Sequence, residues 1–446
     1  VGVGIRFLTD LQDDLDKKGT DTKASVNEAL NEIRANTASV VEYLKAEHVH
    51  VTSDQLRIAA QESAEALYFW QVAHDYVYAD FKGIEQQERV ASLKLDDIFV
   101  DLKAVREQSQ AHVSAERRIF QRVLGPDDQW FEAEFMYQTS ADGGKETESV
   151  IDTRATPESI DKILSPPGGV VLMGGPGSGK TTLVKRMARS CALGADELKL
   201  RYPLLPWCFP VVLPISTFQT ERGERNIYRF LLDRMTELGG EILSDAFAER
   251  WAAGQCLVLL DGLDEVADTA DRTRAARAVD DFLMSSADNR IVLTTRVVGY
   301  NITRLSVPTE HHILEPFSQQ EIATFIRQWY LAHDRSLHPD RPNPTQAAKD
   351  AQSLIDDVQK NAGVATLATN PLMLTIIALI KHANVVLPER RVELYEIALN
   401  TLLRSWNRAR SLSTKAPVGE EPKLEKAKKL WAAVAYWMHQ NVSRTI

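Results

Sequence analysis

The stretch "GGVVLMGGPGSGKTTLVKRMARSC", from Gly168 to Cys191, decides how this chain is read. Gly169-Val-Val-Leu-Met173 is an apolar run of strand length, and Thr181-Thr-Leu-Val-Lys-Arg-Met-Ala188 repeats apolar residues at helical spacing. Between them lies Gly174-x-x-x-x-Gly179-Lys180-Thr181, the spacing of a phosphate-cradling P-loop. Its glycines leave backbone N–H groups free to face phosphate oxygens, and the helix after it presents the positive end of its dipole. Gly174, Gly175, Pro176, Gly177, Ser178 and Gly179, together with Lys180, Thr181 and Thr182, are therefore the expected nucleotide contacts. Lys180 would reach the outer phosphates, and the Thr181 hydroxyl would ligate Mg²⁺.

Downstream, the text alternates between short apolar runs and helical rhythm. "FPVVLPI" (Phe209 to Ile215), "QCLVLLDGLDE", "ADNRIVLTTRVVGY" and "HHILEPF" read as strands, with "NIYRFLLDRMTEL" as a helix among them. Such alternation predicts an α/β fold, a parallel sheet with helices on both faces. Ligands of these sheets sit outside the carboxyl ends of the strands, where the P-loop, Asp261 and Arg296 all fall.

Leu257 to Leu260 lead into Asp261-Gly-Leu-Asp264-Glu265. A carboxylate ending a buried strand beside a P-loop is placed to hold Mg²⁺, so Asp261 joins Thr181 as a metal candidate. Asp264 and Glu265 are candidates to orient or deprotonate an attacking water, the alternative being that they cap the next segment. Gly262 would let the chain turn close to the phosphates. Thr294-Thr295-Arg296 ends the next strand, and Arg296 could report on a γ-phosphate or form an exposed salt bridge.

Residues 1–150 read as a mostly helical region. Leu8, Leu11 and Leu15, then Val26, Leu30 and Ile33, recur at amphipathic spacing, and Thr52-Ser-Asp54 could cap a longer helix. Tyr68, Phe69, Trp70 and Tyr76 in that helix are expected in the core, and His48 and His50 lack further ligands at metal spacing. The polar, turn-rich text from Gly125 to Pro167, with "TPESIDKIL" as a short helix, marks the boundary into a nucleotide domain at 151–317. After Phe317 come four helical segments, assigned to a helical domain at 318–415. Residues 416–446 read as a charged linker and one further helix with a strong apolar face, after which a domain looks truncated.

Composition narrows the classes. The chain has 446 residues, 44% of them hydrophobic, and a net charge of -10, which argues against a general nucleic-acid binder. Cys191, Cys208 and Cys256 are odd in number and lack paired metal spacing, as for buried, reduced thiols of a cytoplasmic protein. No apolar run is long enough for a membrane span.

Taken in order and spacing, "GGPGSGKTTL", "LVLLDGLDEV", "IVLTTR" and "NPLMLTIIAL" resemble the NACHT branch of the STAND class of P-loop NTPases, over about residues 150 to 446. A small residue directly after the metal-binding aspartate, here Gly262, followed by paired acids, carries the NACHT resemblance. "LPERRVELYEIALNTLL" is similar to the helical segment that comes after the NACHT core, and the final helix to the first helix of a winged-helix domain. The resemblance implies a slow ATPase acting as a switch, with ATP or ADP and Mg²⁺ as cofactors. Pro371 would pack on the adenine base. It also implies homo-oligomerisation on activation by a trigger ligand, such as a phage or pathogen component, in innate immune or antiviral signalling. His439 in "WMHQ" does not match the family's winged-helix histidine. A conventional ATPase motor and a nucleotide-stabilised interaction scaffold are the alternatives.

Overall fold

The structure, a computed structural model, describes residues 53–79, 93–107, 156–218, 226–266, 268–285, 288–300, 303–382, 396, 399 and 424–441. The amphipathic repeats before residue 52, His48 and His50, the turn-rich text up to residue 155, the linker before residue 424 and nearly all of the segment after Leu387 lie outside these residues. Along the chain come α1 (Ser53–Asp75), α2 (Leu95–Ile98), β1 (Lys103–Arg106), β2 (Glu158–Ser159), α3 (Ile160–Leu164) and β3 (Gly168–Met173). Next are α4 (Lys180–Ala192), α5 (Ala195–Arg201), β4 (Phe209–Pro214), α6 (Ile227–Ala252), β5 (Cys256–Asp261), α7 (Thr269–Met284) and β6 (Arg290–Thr295). After α8 (Val297–Tyr300) and β7 (Glu310–Leu314) the elements are helical: α9 (Gln319–Leu337), α10 (Pro344–Lys360), α11 (Ala362–Ala368), α12 (Pro371–His382) and α13 (Leu424–Asn441).

Seven strands form one sheet in the order β2-β1-β7-β3-β6-β5-β4. The five from β7 to β4 are mutually parallel, and β1 and β2 extend the β7 edge in antiparallel sense. Every residue of β5 is buried, as a parallel strand covered on both faces requires. Strand β6 lies between β3 and β5, pairing Met173 with Thr295 and Leu260 with Leu293. The P-loop strand and the acidic strand therefore both border the Thr294-Thr295-Arg296 end.

Strand β1 corrects an expectation. Residues 1–150 read as mostly helical, yet Ala104, fully buried, pairs with Leu314 inside the sheet. Helix α1 also packs on α4 and α6, where Tyr68 stacks on Phe209 (ring centroids 5.1 Å) and donates its hydroxyl to Pro210 O at 2.8 Å. Phe69 and Tyr76 are partly buried against the same core, whereas Trp70 stacks on His74. Helix α6 runs past the Leu238 end read from the sequence, because the chain kinks at Gly240 (φ 75°) and resumes as helix.

Helix α9 opens with a capping box, in which Ser318 Oγ accepts from Glu321 N while Glu321 accepts from Ser318 N. Trp329 on α9 is fully buried, and α9 packs against α10, α12 and α2. Asn343 caps α10 ahead of Pro344 at the first helical position. The short α11, absent from the sequence reading, separates α10 from α12. Cys191, Cys208 and Cys256 are buried free thiols, each pushed up in pKa mainly by that burial. No described helix is long and apolar enough to cross a membrane.

Candidate functional site

Strand β3 ends at Met173, and the chain bends through Gly174–Gly179 into α4, whose first residue is Lys180. Lys180 Nζ turns back into the loop and donates to Gly174 O (2.7 Å) and Gly175 O (3.0 Å). Burial holds this ammonium below the usual lysine range; Asp264 is the largest charge opposing that shift, and Arg296 adds to it. Pro176 to Thr182 line one face of a cavity of about 280 Å³.

Opposite stand the acids. Asp261, 8% exposed at the end of β5, accepts the Thr294 hydroxyl on Oδ1 at 2.5 Å. The same Thr294 oxygen accepts from Gly262 N at 2.9 Å, so one threonine orders both the carboxylate and the turn after it. Gly262 makes that turn at φ 76°, and a Cβ there would meet the Glu265 carboxyl carbon at 2.8 Å. Arg272, nearly buried on α7, donates to Val266 O (2.9 Å) and to Asp264 O (3.4 Å) and so holds the acidic turn from behind.

Arg296 folds back on Asp264 with its N–H on Oδ1 (3.0 Å) and its Nε on Oδ2 (2.9 Å). Glu265 lies on the exposed side of the turn. Partial desolvation beside the turn raises the pKa of its carboxyl first, and the charges of Asp261 and Asp264 add to that. Of the two paired acids, Glu265 is the one whose carboxyl is not engaged by Arg296.

The apolar part of the cavity lining comes from segments far apart in sequence. Ile98, Phe99 and Val100 from the N-terminal segment meet Phe317, Phe325 and Pro371 from the helical side. Asp96 on α2 pairs with Arg186 and with Arg189 (3.0 Å), both on α4, and the Arg186 guanidinium sits 5.8 Å from the Phe99 ring centroid. The P-loop helix thereby anchors the Phe99 wall. This wall, like Thr294 as an aspartate partner, is missing from the sequence-based site. A polar residue ending an apolar strand beside an acidic one was the available sign for Thr294; no local pattern marks Phe99.

The sequence-derived site residues come together here. Thr181, Asp261, Asp264, Glu265, Arg296 and Pro371 border the one cavity, and Gly174 and Gly175 supply the carbonyls under Lys180. The apolar lining suits a flat aromatic base, and the loop suits a phosphate chain. Among the described residues no group of three or more His, Cys, Asp or Glu side chains forms a protein-only metal cage. The donor set of one threonine hydroxyl and one oriented carboxylate instead fits a Mg²⁺ that takes its remaining ligands from phosphate and water.

Comparison with known proteins points to one family over part of the chain. The family model of the NACHT domain matches residues 169–333. No curated protein matches the chain. Among solved structures, a chain in "Structure of E. coli MS115-1 HORMA:CdnC:Trip13 complex" is similar at 13% identity, over 71% of this chain and 96% of that one. Its TM-score is 0.27, too low to establish a shared arrangement of the elements.

Proposed function

We propose that this chain, which carries a NACHT domain of the P-loop NTPase class at residues 169–333, is a switch read out through the contact between its sheet and its helical segment. One observation carries the proposal. Pro371, at the start of α12, borders the same cavity as Lys180, Asp261 and Arg296. A nucleotide with its phosphates on the loop and its base toward Phe99 and Pro371 would bridge the two parts of the chain. Its occupancy and its γ-phosphate would then set how they sit together.

In this reading Lys180 and the loop amides bind the phosphates, and Thr181 and Asp261 hold the Mg²⁺, which would neutralise phosphate charge. Glu265 accepts a proton from water, Asp264 aims Arg296, and Arg296 meets the γ-phosphate. ADP leaves Arg296 on Asp264, while ATP offers it a second anionic partner. The two nucleotides therefore stabilise different arrangements, by the difference in their contacts. Couplings of this kind are typically about 1–3 kcal/mol. Hydrolysis is slow and resets the switch.

The proposal extends, by the resemblance of the sequence motifs, to homo-oligomerisation with ATP and a trigger ligand in cytoplasmic innate immune or antiphage signalling. Light scattering on the full-length protein tests the switch. A monomer with ADP and a larger assembly with ATP plus trigger are expected. Equal masses in both, with rapid steady-state turnover, would identify a conventional ATPase; equal masses with no turnover would identify a scaffold.

A further inference from the structure

The start of helix α12 and the Asn370 side chain just before it touch the backbone of the phosphate loop, quite apart from Pro371. Asn370 Nδ2 donates to Pro176 O at 2.9 Å, and Leu372 N lies 3.3 Å from Gly177 O. Asn370 Oδ1 meanwhile caps α12, accepting from Leu372 N (3.1 Å) and Met373 N (3.2 Å). Only this amide orientation satisfies all three partners, since the reverse would face oxygen with oxygen and N–H with N–H. The approach is close. A Cβ on Gly177 (φ 72°) would stand 2.8 Å from both Asn370 Oδ1 and Leu372 Cβ.

A peptide unit is planar and trans, so its C=O and N–H point in opposite directions. The Pro176 carbonyl belongs to the unit that carries the Gly177 N–H, and the Gly177 carbonyl to the unit that carries the Ser178 N–H. Holding these two carbonyls toward α12 therefore turns both N–H groups the other way, into the loop. The Ser178 N–H does point there: it donates to Gly175 O at 3.2 Å, the oxygen that Lys180 Nζ also reaches. We infer that Asn370 is a positioning residue for the phosphate cradle, aiming the Gly177 and Ser178 amides through the opposite faces of their peptide units. Phosphate binding and the docking of α12 then act on the same two planes, and each favours the other.

This inference rests on the proposed nucleotide site, and its test separates the two. Asn370→Ser keeps a good helix cap but is too short to reach Pro176 O. Calorimetry on the full chain with ADP and with adenosine, which has no phosphate, provides the readout. ADP affinity is expected to fall about tenfold in Asn370→Ser, the effect of roughly one hydrogen bond, with adenosine affinity unchanged. Hydrogen exchange gives a second measure: ADP should slow exchange in the first turn of α12 in the wild type but much less in Asn370→Ser. Equal losses for ADP and adenosine, unchanged ADP affinity, or equal ADP protection in both proteins would overturn the positioning role. If the wild type binds no ADP, the nucleotide site itself fails and takes this inference with it.

Discussion

Arg296 occupies both oxygens of Asp264, giving Oδ1 its backbone N–H (3.0 Å) and Oδ2 its Nε (2.9 Å). An acid so engaged is poorly placed to take a proton from water, and an arginine so held is pre-aimed along the edge of the cavity. The sequence offered Asp264 and Glu265 together as candidates for the attacking water. In the proposed function the two acids divide the work, with Glu265 as base and Asp264 as the residue that orients Arg296.

Glu265→Gln should therefore retain ADP affinity and lose about 100- to 10,000-fold in hydrolysis, the usual range for a general base. The wild-type rate should rise with pH as Glu265 deprotonates, with a midpoint above the ordinary glutamate value. Linkage sets the sign for stability. The folded state holds this proton more tightly than the unfolded one, so Glu265 costs stability as pH rises through the interval above the ordinary value. Glu265→Gln should melt higher than wild type at neutral pH and lose that advantage in acid. A pH–rate profile and paired melting curves check both; an unchanged rate in the variant removes Glu265 from the chemistry.

Lys180→Ala should leave the fold intact and weaken ATP and ADP binding about a hundredfold or more, the scale of charge-assisted hydrogen bonds. Calorimetry with circular dichroism checks this. Unchanged affinity in a folded variant would defeat the phosphate-loop assignment.

Thr294→Val keeps the side chain's shape but strips Asp261 Oδ1 of its donor and Gly262 N of its acceptor, both in the buried sheet end. The expected cost is about 1–3 kcal/mol in urea unfolding, together with weaker Mg²⁺-dependent nucleotide binding. Thr294→Ser, which restores the hydroxyl, should recover most of both.

Asp96→Ala leaves Arg186, 1% exposed, without its carboxylate partner. Burial already pushes the Arg186 pKa down to about 10, so the remaining charge is poorly solvated. A loss of about 3–5 kcal/mol is expected, as for other broken buried pairs. Asp96→Asn, which keeps an acceptor, should lose less. A melting curve for Asp96→Ala equal to wild type would show that α2 is not anchored through this pair.

Much of the site was legible because its chemistry is local. The P-loop spacing, the acidic end of β5 and the arginine ending β6 each declare themselves within a few residues, and the apolar runs before them give the strands. Less local features stayed silent. Strand β1 is four residues, Lys-Ala-Val-Arg, with one fully buried side chain, too short to show a period of two. The Gly239-Gly240 pair looks like the end of a helix, yet packing on both sides carries α6 through its kink.

The sequence alone determined that a phosphate loop leads out of a buried strand, that a carboxylate and an arginine end two more, and that helices come after the sheet. Each of these is a matter of residue type at short separation, where backbone geometry leaves few choices. Tertiary structure decided which partners those groups have. Inserting β6 between β3 and β5 brought Thr294 to Asp261 and Arg296 to Asp264. Packing α2 on the P-loop helix set Phe99 at the cavity, and docking α12 placed Asn370 on the Pro176 carbonyl across 194 positions of chain. Strand order and helix docking depend on burying whole faces at once, and no short window of sequence records where those faces meet.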